Sequence, residues 1–521
     1  MGGGNAKKED GNFSPALLGG RLLAAINLNY LLGINVRING VDCILVDEEG
    51  KLCRTESQPY ALAEAQQGSR EQNPGDWWDA LVTALRTMLT DFKTEDIAAV
   101  GVAGEIHGLV ALDSSSEVVR DAILWNDARG EQEYNQAILD AGVDSLTDGK
   151  HRGHHVESKL LWMREHEPDT YAKIAKFVMP VDYVRYLLTG TLAADPEDAG
   201  QSVYFNTEDQ QWDNEIISKV GFDIVVFPPV ADSNAPAGTV TEEAAEATGL
   251  AAGTPVYSAG PETVMRNALL STLNADAMAV VLGPSAMVAM PSKEIPKTGR
   301  DNLQVMSIND GDSYVVYGRQ LAGGDALKWA EEAMFGLEDN PELALFSAAE
   351  QADPGAGGTM FLPYLMGENS PKPDVQASGT FTGISMLTRP PQLARAVMEG
   401  MIYGLREICS AILHENRHLD AKEIVLSGSA TSSSMIKHIL ADVFNLPVKI
   451  YQGALEGGAY GAALTAGVGE GMFASFADAE KLHHIAEIIE PDAETAALYE
   501  KVMNRYEEFA KGMRGIFARN S

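Results

Sequence analysis

A pattern that starts twice constrains this chain more than any other feature. Apolar runs at 30–35 and 42–46 flank a polar turn centred on Asn39-Gly40, and a turn at Glu49-Gly50 leads into a third run at 51–54. Asn-Gly supplies the positive φ angles that a tight hairpin turn takes, so three antiparallel strands are expected. The pattern restarts beyond residue 270: runs at 277–282 and 286–290 flank Gly283-Pro284-Ser285, and a strand at 314–317 is closed by Gly318.

Helical periodicity follows each hairpin. Trp78, Leu81, Leu85 and Leu89 recur at helical spacing behind Asn73-Pro74-Gly75-Asp76, and 97–103 is a buried strand. Shorter helices are expected at 160–164 and 182–188. A long one at 392–412 carries Leu393, Ala396, Val397, Met401 and Leu405 on one face. A strand at 423–426 runs into Ser427-Gly428-Ser429-Ala430 and a helix at 432–444, and 491–518 reads as a solvated amphipathic cap. Two hairpin-first α/β units in series predict a duplicated α/β fold with a cleft between the halves. Residues 1–29 are expected to form a flexible leader.

Composition excludes several functions. The 521 residues carry 39 Lys+Arg against 74 Asp+Glu, a formal charge of −35, and no Lys/Arg run exceeds two, which argues against a nucleic-acid partner. No apolar stretch approaches the length of a membrane span. Cys43, Cys53 and Cys409 are too few for a disulfide framework, lack zinc-site spacing and fit a reducing cytoplasm.

Five segments can carry chemistry. Gly104-Glu105-Ile106-His107-Gly108 follows a strand, where glycines admit a ligand and His107 can bond a polar substrate or serve structure. Trp125-Asn126-Asp127-Ala128-Arg129 sets an aromatic plate beside polar groups, which suits a sugar or a packed Trp with an Asp–Arg pair. Gly260-Pro261-Glu262-Thr263 ends a strand with a carboxylate, a general base or a solvated Glu. Residues 361–371 form a rigid apolar-then-polar segment. Ser427-Gly428-Ser429-Ala430 pairs with Glu456-Gly457-Gly458-Ala459-Tyr460-Gly461, whose small residues admit either a flat heterocycle or close helix packing. None of the five is a Walker loop, a dinucleotide fingerprint or a metal cluster.

In order and spacing these segments resemble the FGGY carbohydrate kinases, most closely the xylulokinase branch. The resemblance runs from about residue 32 to 467 and is most specific at Gly104-x-x-His107-Gly108, Trp125-Asn126-Asp127-x-Arg129, Phe361-Leu362-Pro363-Tyr364-x-x-Gly367-Glu368 and Leu393-Ala394-Arg395-Ala396-Val397-x-Glu399-Gly400. It implies two domains of the actin/hexokinase (ribonuclease H-like) type, 30–265 on the sugar side and 266–521 on the nucleotide side. It also implies MgATP-dependent phosphorylation of a ketose such as D-xylulose, and allows a homodimer. Carried over residue by residue, Ile106, His107, Trp125, Asn126, Asp127 and Thr263 would hold the sugar, Glu262 would be the base, and Gly283, Ser285, Gly428 and Ser429 would face the nucleotide.

The departures fall on phosphate handling. Where the family reads Gly-x-Asp-x-Gly-Thr in its first hairpin, this chain has Gly33-Ile34-Asn35-Val36-Arg37-Ile38, without the carboxylate and with Arg37 for a phosphate-facing glycine. Arg37 can offer a guanidinium instead, although its stem occupies the approach path. Pro284 brings neither N–H nor hydroxyl to the second hairpin, and Glu262 is one methylene longer than the family's Asp. The residues favour a kinase homologue with impaired phosphoryl transfer. The alternatives are an active kinase with an altered nucleotide site, or a sugar-binding or structural pseudokinase.

Overall fold

The computed structural model describes residues 29–60, 69–105, 107–127, 129–143, 155–200, 202–206, 209–231, 235–261, 276–298, 302–307, 314–475, 478–479, 481–482 and 484–517. Ile106, Glu262, Thr263 and positions 1–28 of the expected leader lie outside them.

The first sheet is built from β1 (Tyr30–Arg37), β2 (Gly40–Val46), β3 (Leu52–Pro59), β4 (Ile97–Gly104), β5 (Gly238–Thr239) and β6 (Pro255–Pro261) in the order β5-β6-β4-β1-β2-β3. β1 pairs antiparallel with β2 and parallel with β4, and β4 pairs parallel with β6. The second sheet repeats the motif. Its strands β7 (Ala277–Leu282), β8 (Ala286–Ser292), β9 (Gln304–Ser307), β10 (Tyr314–Gln320), β11 (Glu423–Ser427), β12 (Val448–Tyr451) and β13 (Ile485–Ile489) lie in the order β9-β10-β8-β7-β11-β12-β13. Here β7 pairs antiparallel with β8 and parallel with β11. The duplicated α/β pattern expected from the two hairpins is therefore present.

Several boundaries differ for physical reasons. The first hairpin turns at Ile38-Asn39, because Arg37 is already paired with Gly40. Neither Asn39 nor Gly40 has a positive φ. Gly40 is small because a Cβ there would lie 2.8 Å from the Gln58 carbonyl oxygen of β3. β10 passes through Gly318, whose missing side chain makes room for Ile408, and ends at Gln320. Ser432 belongs to a short 3₁₀ turn, and the helix begins at Ser434, behind a Ser433 side chain that caps Ile436.

The helices used below are α1 (Pro74–Met88), α2 (Val156–His166), α3 (Pro180–Thr189), α4 (Gly324–Phe335), α5 (Pro390–Glu415), α6 (Ser434–Phe444), α7 (Gly457–Gly469) and α8 (Ala493–Phe517). α1 buries Trp77, Leu81, Leu85 and Met88 on the first sheet. α5 lies on the second sheet, and its Gly400 is forced by the Phe361 carbonyl, which a Cβ would meet at 2.2 Å. The expected solvated cap, α8, is instead half embedded: Tyr499, Tyr506, Ala510 and Phe517 are buried. Arg514 pairs with Glu368 at 2.7 Å, and Tyr499 donates to Glu399 at 2.7 Å. The rigid 361–371 segment is thus tied down by the C-terminal helix.

α7 packs on the first sheet. Its Ala459, Ala462, Ala463 and Ala466 share one core with Leu31, Ala99, Ala103 and Ala259 from the first sheet and Ala279, Met287, Ala289 and Tyr317 from the second. A Cβ on Gly33 would fall 1.8 Å from the Ala459 carbonyl oxygen, and one on Gly101 1.9 Å from that of Ala462. The small residues of 456–461 therefore serve close packing of this helix.

Gly101→Ala should lower stability by about 3 kcal/mol or more, because backbone must move to admit the methyl. Gly512→Ala, in a helix with nothing within 4 Å of the added atom, should raise it by roughly 0.5–1 kcal/mol. Thermal unfolding of the two variants checks both signs.

Candidate functional site

β4 ends at Gly104, and the chain turns through Glu105, His107 and Gly108 before bridging Leu109 to Ile123. That bridge, with reciprocal backbone hydrogen bonds of 2.8 and 3.1 Å, sets the 105–108 turn beside the turn that carries Trp125, Asn126 and Asp127. The second turn is closed by the Asp127 N–H on the Leu124 carbonyl. Arg37, Gln72, Trp77, Glu105, Gly108 and Trp125 line a small concavity between these turns and the first hairpin. Gln72 braces it, accepting from Trp77 Nε1 at 2.9 Å and donating to the Ile38 carbonyl at 2.6 Å.

His107 has a φ of 59°, uncommon for a residue with a side chain. Its N–H donates to Met179 Sδ at 3.3 Å, and its ring is stacked on His155, centroids 4.2 Å apart and planes 16° from parallel. The Asn126 Oδ1 atom is buried with no hydrogen-bond partner among the described residues.

Asp127 is fully buried and internally committed. It accepts from Arg129 Nε at 2.9 Å, Arg129 Nη2 at 2.5 Å and the Arg70 N–H at 2.8 Å. Burial pushes its carboxyl up, but the Arg129 side chain and the backbone donors outweigh this and hold it below the usual range. Arg129 also reaches Glu71 at 2.8 Å and lies over the Trp162 ring, while Arg120 joins Glu71 to Glu167. Asp127 stiffens the turn that carries Trp125 and Asn126. Sequence reasoning missed Glu71, Trp162 and His155, which are separated from the motifs by tens of residues, and Arg120, which is five residues before Trp125 but carries no local pattern.

Lys159 of α2 is wholly buried, and its ammonium donates to the His155 carbonyl at 3.3 Å. Burial brings its pKa down to about 7, against the opposing pull of Asp127 and Glu157.

The carboxylate segment begins in a fixed place. β6 ends with Pro261 opposite Gly104, so the chain leading to Glu262 leaves the sheet beside the turn that carries His107. Just before, β6 slips register and Gly260 takes a φ of 71°. Asp195 holds this kink, accepting from the Gly260 N–H at 3.1 Å and from the Ser258 hydroxyl. Arg185 donates to Ser258 at 2.8 Å and to Asp182 at 2.9 Å, and burial raises the Asp182 carboxyl to about 6 despite that partner.

The phosphate-side expectations resolve differently. Asn35 is fully buried, and neither of its amide atoms has a hydrogen-bond partner among the described residues. Arg37 is folded back on its own hairpin, bonded to Asp42 at 2.5 and 2.8 Å and to Asn39 at 3.1 Å. In the second hairpin the Gly283 N–H is taken by the Ser285 carbonyl at 3.0 Å. The carbonyls of Gly283 and Pro284 receive the N–H groups of Gly324, Gly323 and Asp325 at the start of α4. Gly428, with a φ of 90°, packs so closely on Leu282 that a Cβ would lie 2.4 Å from its carbonyl oxygen, and the Ser429 hydroxyl donates to that oxygen at 3.1 Å. The structure therefore brings Gly283, Gly428 and Ser429 together. No group of three or more His, Cys, Asp or Glu side chains that could hold a metal ion exists among the described residues, and Asn35 offers a cation a neutral amide oxygen in place of a carboxylate.

Comparison with solved structures defines the class. A ligand-bound xylulose kinase from Lactobacillus acidophilus superposes with a TM-score of 0.82 at 22% identity, covering 95% of this chain and 100% of that one. A gluconate kinase from the same organism gives 0.83 at 22%, with the same coverage. The fold is that of the actin/hexokinase-like sugar kinases, two α/β domains in one chain. Models of the N-terminal and C-terminal domains of the FGGY family of carbohydrate kinases match residues 30–268 and 278–470. The chain belongs to that family. The xylulose kinase of Bacillus subtilis is 28% identical over 489 residues, 92% of this chain and 96% of that protein. No described helix is long and apolar enough to cross a membrane.

The buried Lys159 ammonium sets a pH signature. Its pKa is lower folded than unfolded, so between the two values the unfolded chain binds more protons and stability rises with pH. Relative to Lys159→Met, the melting temperature of the unaltered chain should climb from about pH 7 to about pH 9; parallel curves would contradict the assignment.

Proposed function

We propose that this chain seats a ketose of the xylulose class and phosphorylates it only slowly. In this reading residues 30–265 form the sugar side and 266–521 the nucleotide side. Ile106, His107, Trp125, Asn126 and Thr263 hold the sugar: Trp125 offers a flat apolar face, and His107 and Asn126 offer hydrogen-bonding groups to the hydroxyls. Asp127 keeps the Trp125-Asn126 turn rigid through Arg129. Glu262 accepts the proton of the reacting hydroxyl, from a position displaced by its extra methylene.

ATP and Mg²⁺ are the co-substrate and cation of the family's chemistry, with Gly283, Ser285, Gly428 and Ser429 facing the nucleotide. Phosphoryl transfer depends on donors and positive charge arranged around the moving group. The observation that carries the attenuated reading is the second hairpin, where Pro284 has no N–H and that of Gly283 is bonded to Ser285. The first hairpin agrees, with a neutral Asn35 and an Arg37 guanidinium held by Asp42. The cytoplasm is the compartment this reading takes, and the free thiols of Cys43, Cys53 and Cys409 suit it.

Ketose-stimulated ADP release with MgATP tests the proposal. The combined change Asn35→Asp, Arg37→Gly and Pro284→Thr should raise it about 100-fold, the order of effect of one well-placed donor in a transition state. Turnover of about 10 per second by the unaltered chain, a typical enzyme rate, would contradict attenuation and leave an active kinase with a different nucleotide grip.

A further inference from the structure

The turns carrying His107 and Trp125 are both backed by α2. Gly130, just past the second turn, lies so close that a Cβ would stand 2.0 Å from the Ser158 carbonyl oxygen, and Arg129 lies over the Trp162 ring at 4.7 Å. At the start of the same helix is His155. It occupies the N-cap position with extended backbone, where Ser, Thr, Asp or Asn would cap the free N–H groups, yet its side chain makes no cap hydrogen bond. Capping does not explain a histidine there.

The His155 backbone is fixed from the buried side. Its carbonyl receives the Ser158 N–H at 3.2 Å, the Ser158 hydroxyl at 2.7 Å and the Lys159 ammonium at 3.3 Å. Its ring lies flat on that of His107, 4.2 Å away and 16° from parallel. His107 is held at its backbone by Met179 and by a left-handed φ, neither of which fixes the rotation of its ring. A face-to-face neighbour does.

We infer that His155 is a positioning residue of the sugar site, orienting the His107 imidazole toward the ligand by stacking while making no ligand contact itself. This rests on the reading of His107 as a sugar contact. The role belongs to the face of the ring, so an aromatic without nitrogen should serve as well.

D-Xylulose binding measured by calorimetry on His155→Ala, His155→Phe and His107→Ala tests it. His155→Ala should weaken binding about three- to tenfold, the worth of one aromatic pair. His155→Phe should restore affinity to within about twofold, because the stack survives. Unchanged binding in His155→Ala overturns the inference, as does a His155→Phe variant as weak as the alanine one, which would make the imidazole nitrogens a ligand contact. Unchanged binding in His107→Ala overturns instead the placement of the sugar. A ligand-free readout stands beside these: the ring-proton resonance of His107, identified by its loss in His107→Ala, should move in His155→Ala and stay ring-current shifted in His155→Phe. A His107 resonance indifferent to His155→Ala overturns the inference whether or not a sugar binds.

Discussion

One helix of the second half, packed on the first sheet, is the contact on which the rest of this structure depends. α7 is nearly all Gly and Ala where it meets this sheet, so its backbone, rather than its side chains, forms the surface against which Gly33 and Gly101 pack. Apolar burial without bulk lets the first sheet and this helix meet backbone to backbone. Two polar ties fix its ends to the first half: Tyr460 donates to the Gly50 carbonyl at 2.6 Å, and Tyr257 donates to Glu470 at 2.9 Å. The second half is thereby registered against the strands whose ends carry His107 and lead to Glu262.

The distribution of charge separates the two ends of the molecule. Around the turns that carry His107 and Trp125, Asp127, Arg129, Glu71 and Arg120 form a chain of ion pairs with little solvent exposure. Such pairs are costly to break and narrow the conformations a turn can take. At the hairpins where the family grips phosphate, charge is missing or diverted. Asn35 is neutral, Arg37 neutralises Asp42, and α4 directs its first N–H groups into the carbonyls of Gly283 and Pro284. A helix start of this kind is a ready anion site only while those donors remain open.

Much of the architecture could be read from local pattern. The hairpins, the strand at Ile97–Gly104, the helix Pro74–Met88 and the long helix Pro390–Glu415 each carry periodicity or turn chemistry that acts over a few residues. The same locality explains the misplacements. Asn39-Gly40 has the composition of a tight turn, but Gly40 answers to Gln58 on the next strand, and Gly318 answers to Ile408. The C-terminal helix has a charged sequence, and only its pairing with Glu368, Glu399 and the α5 face buries one side. At the candidate site, the motifs pointed to His107, Asn126 and Asp127. They could not give His155 or Glu71, whose importance comes from contacts the fold creates, nor the diversion of Arg37, whose partner Asp42 is five residues away on the opposite strand.

The proposed combination of a retained sugar seat and a weakened triphosphate grip is tested most directly by calorimetric titration of the unaltered chain with MgATP, which measures that grip without any assumption about the acceptor. A dissociation constant no tighter than about 1 mM, roughly −4 kcal/mol, is the predicted result. Saturable binding near 1 μM, about −8 kcal/mol, would contradict it.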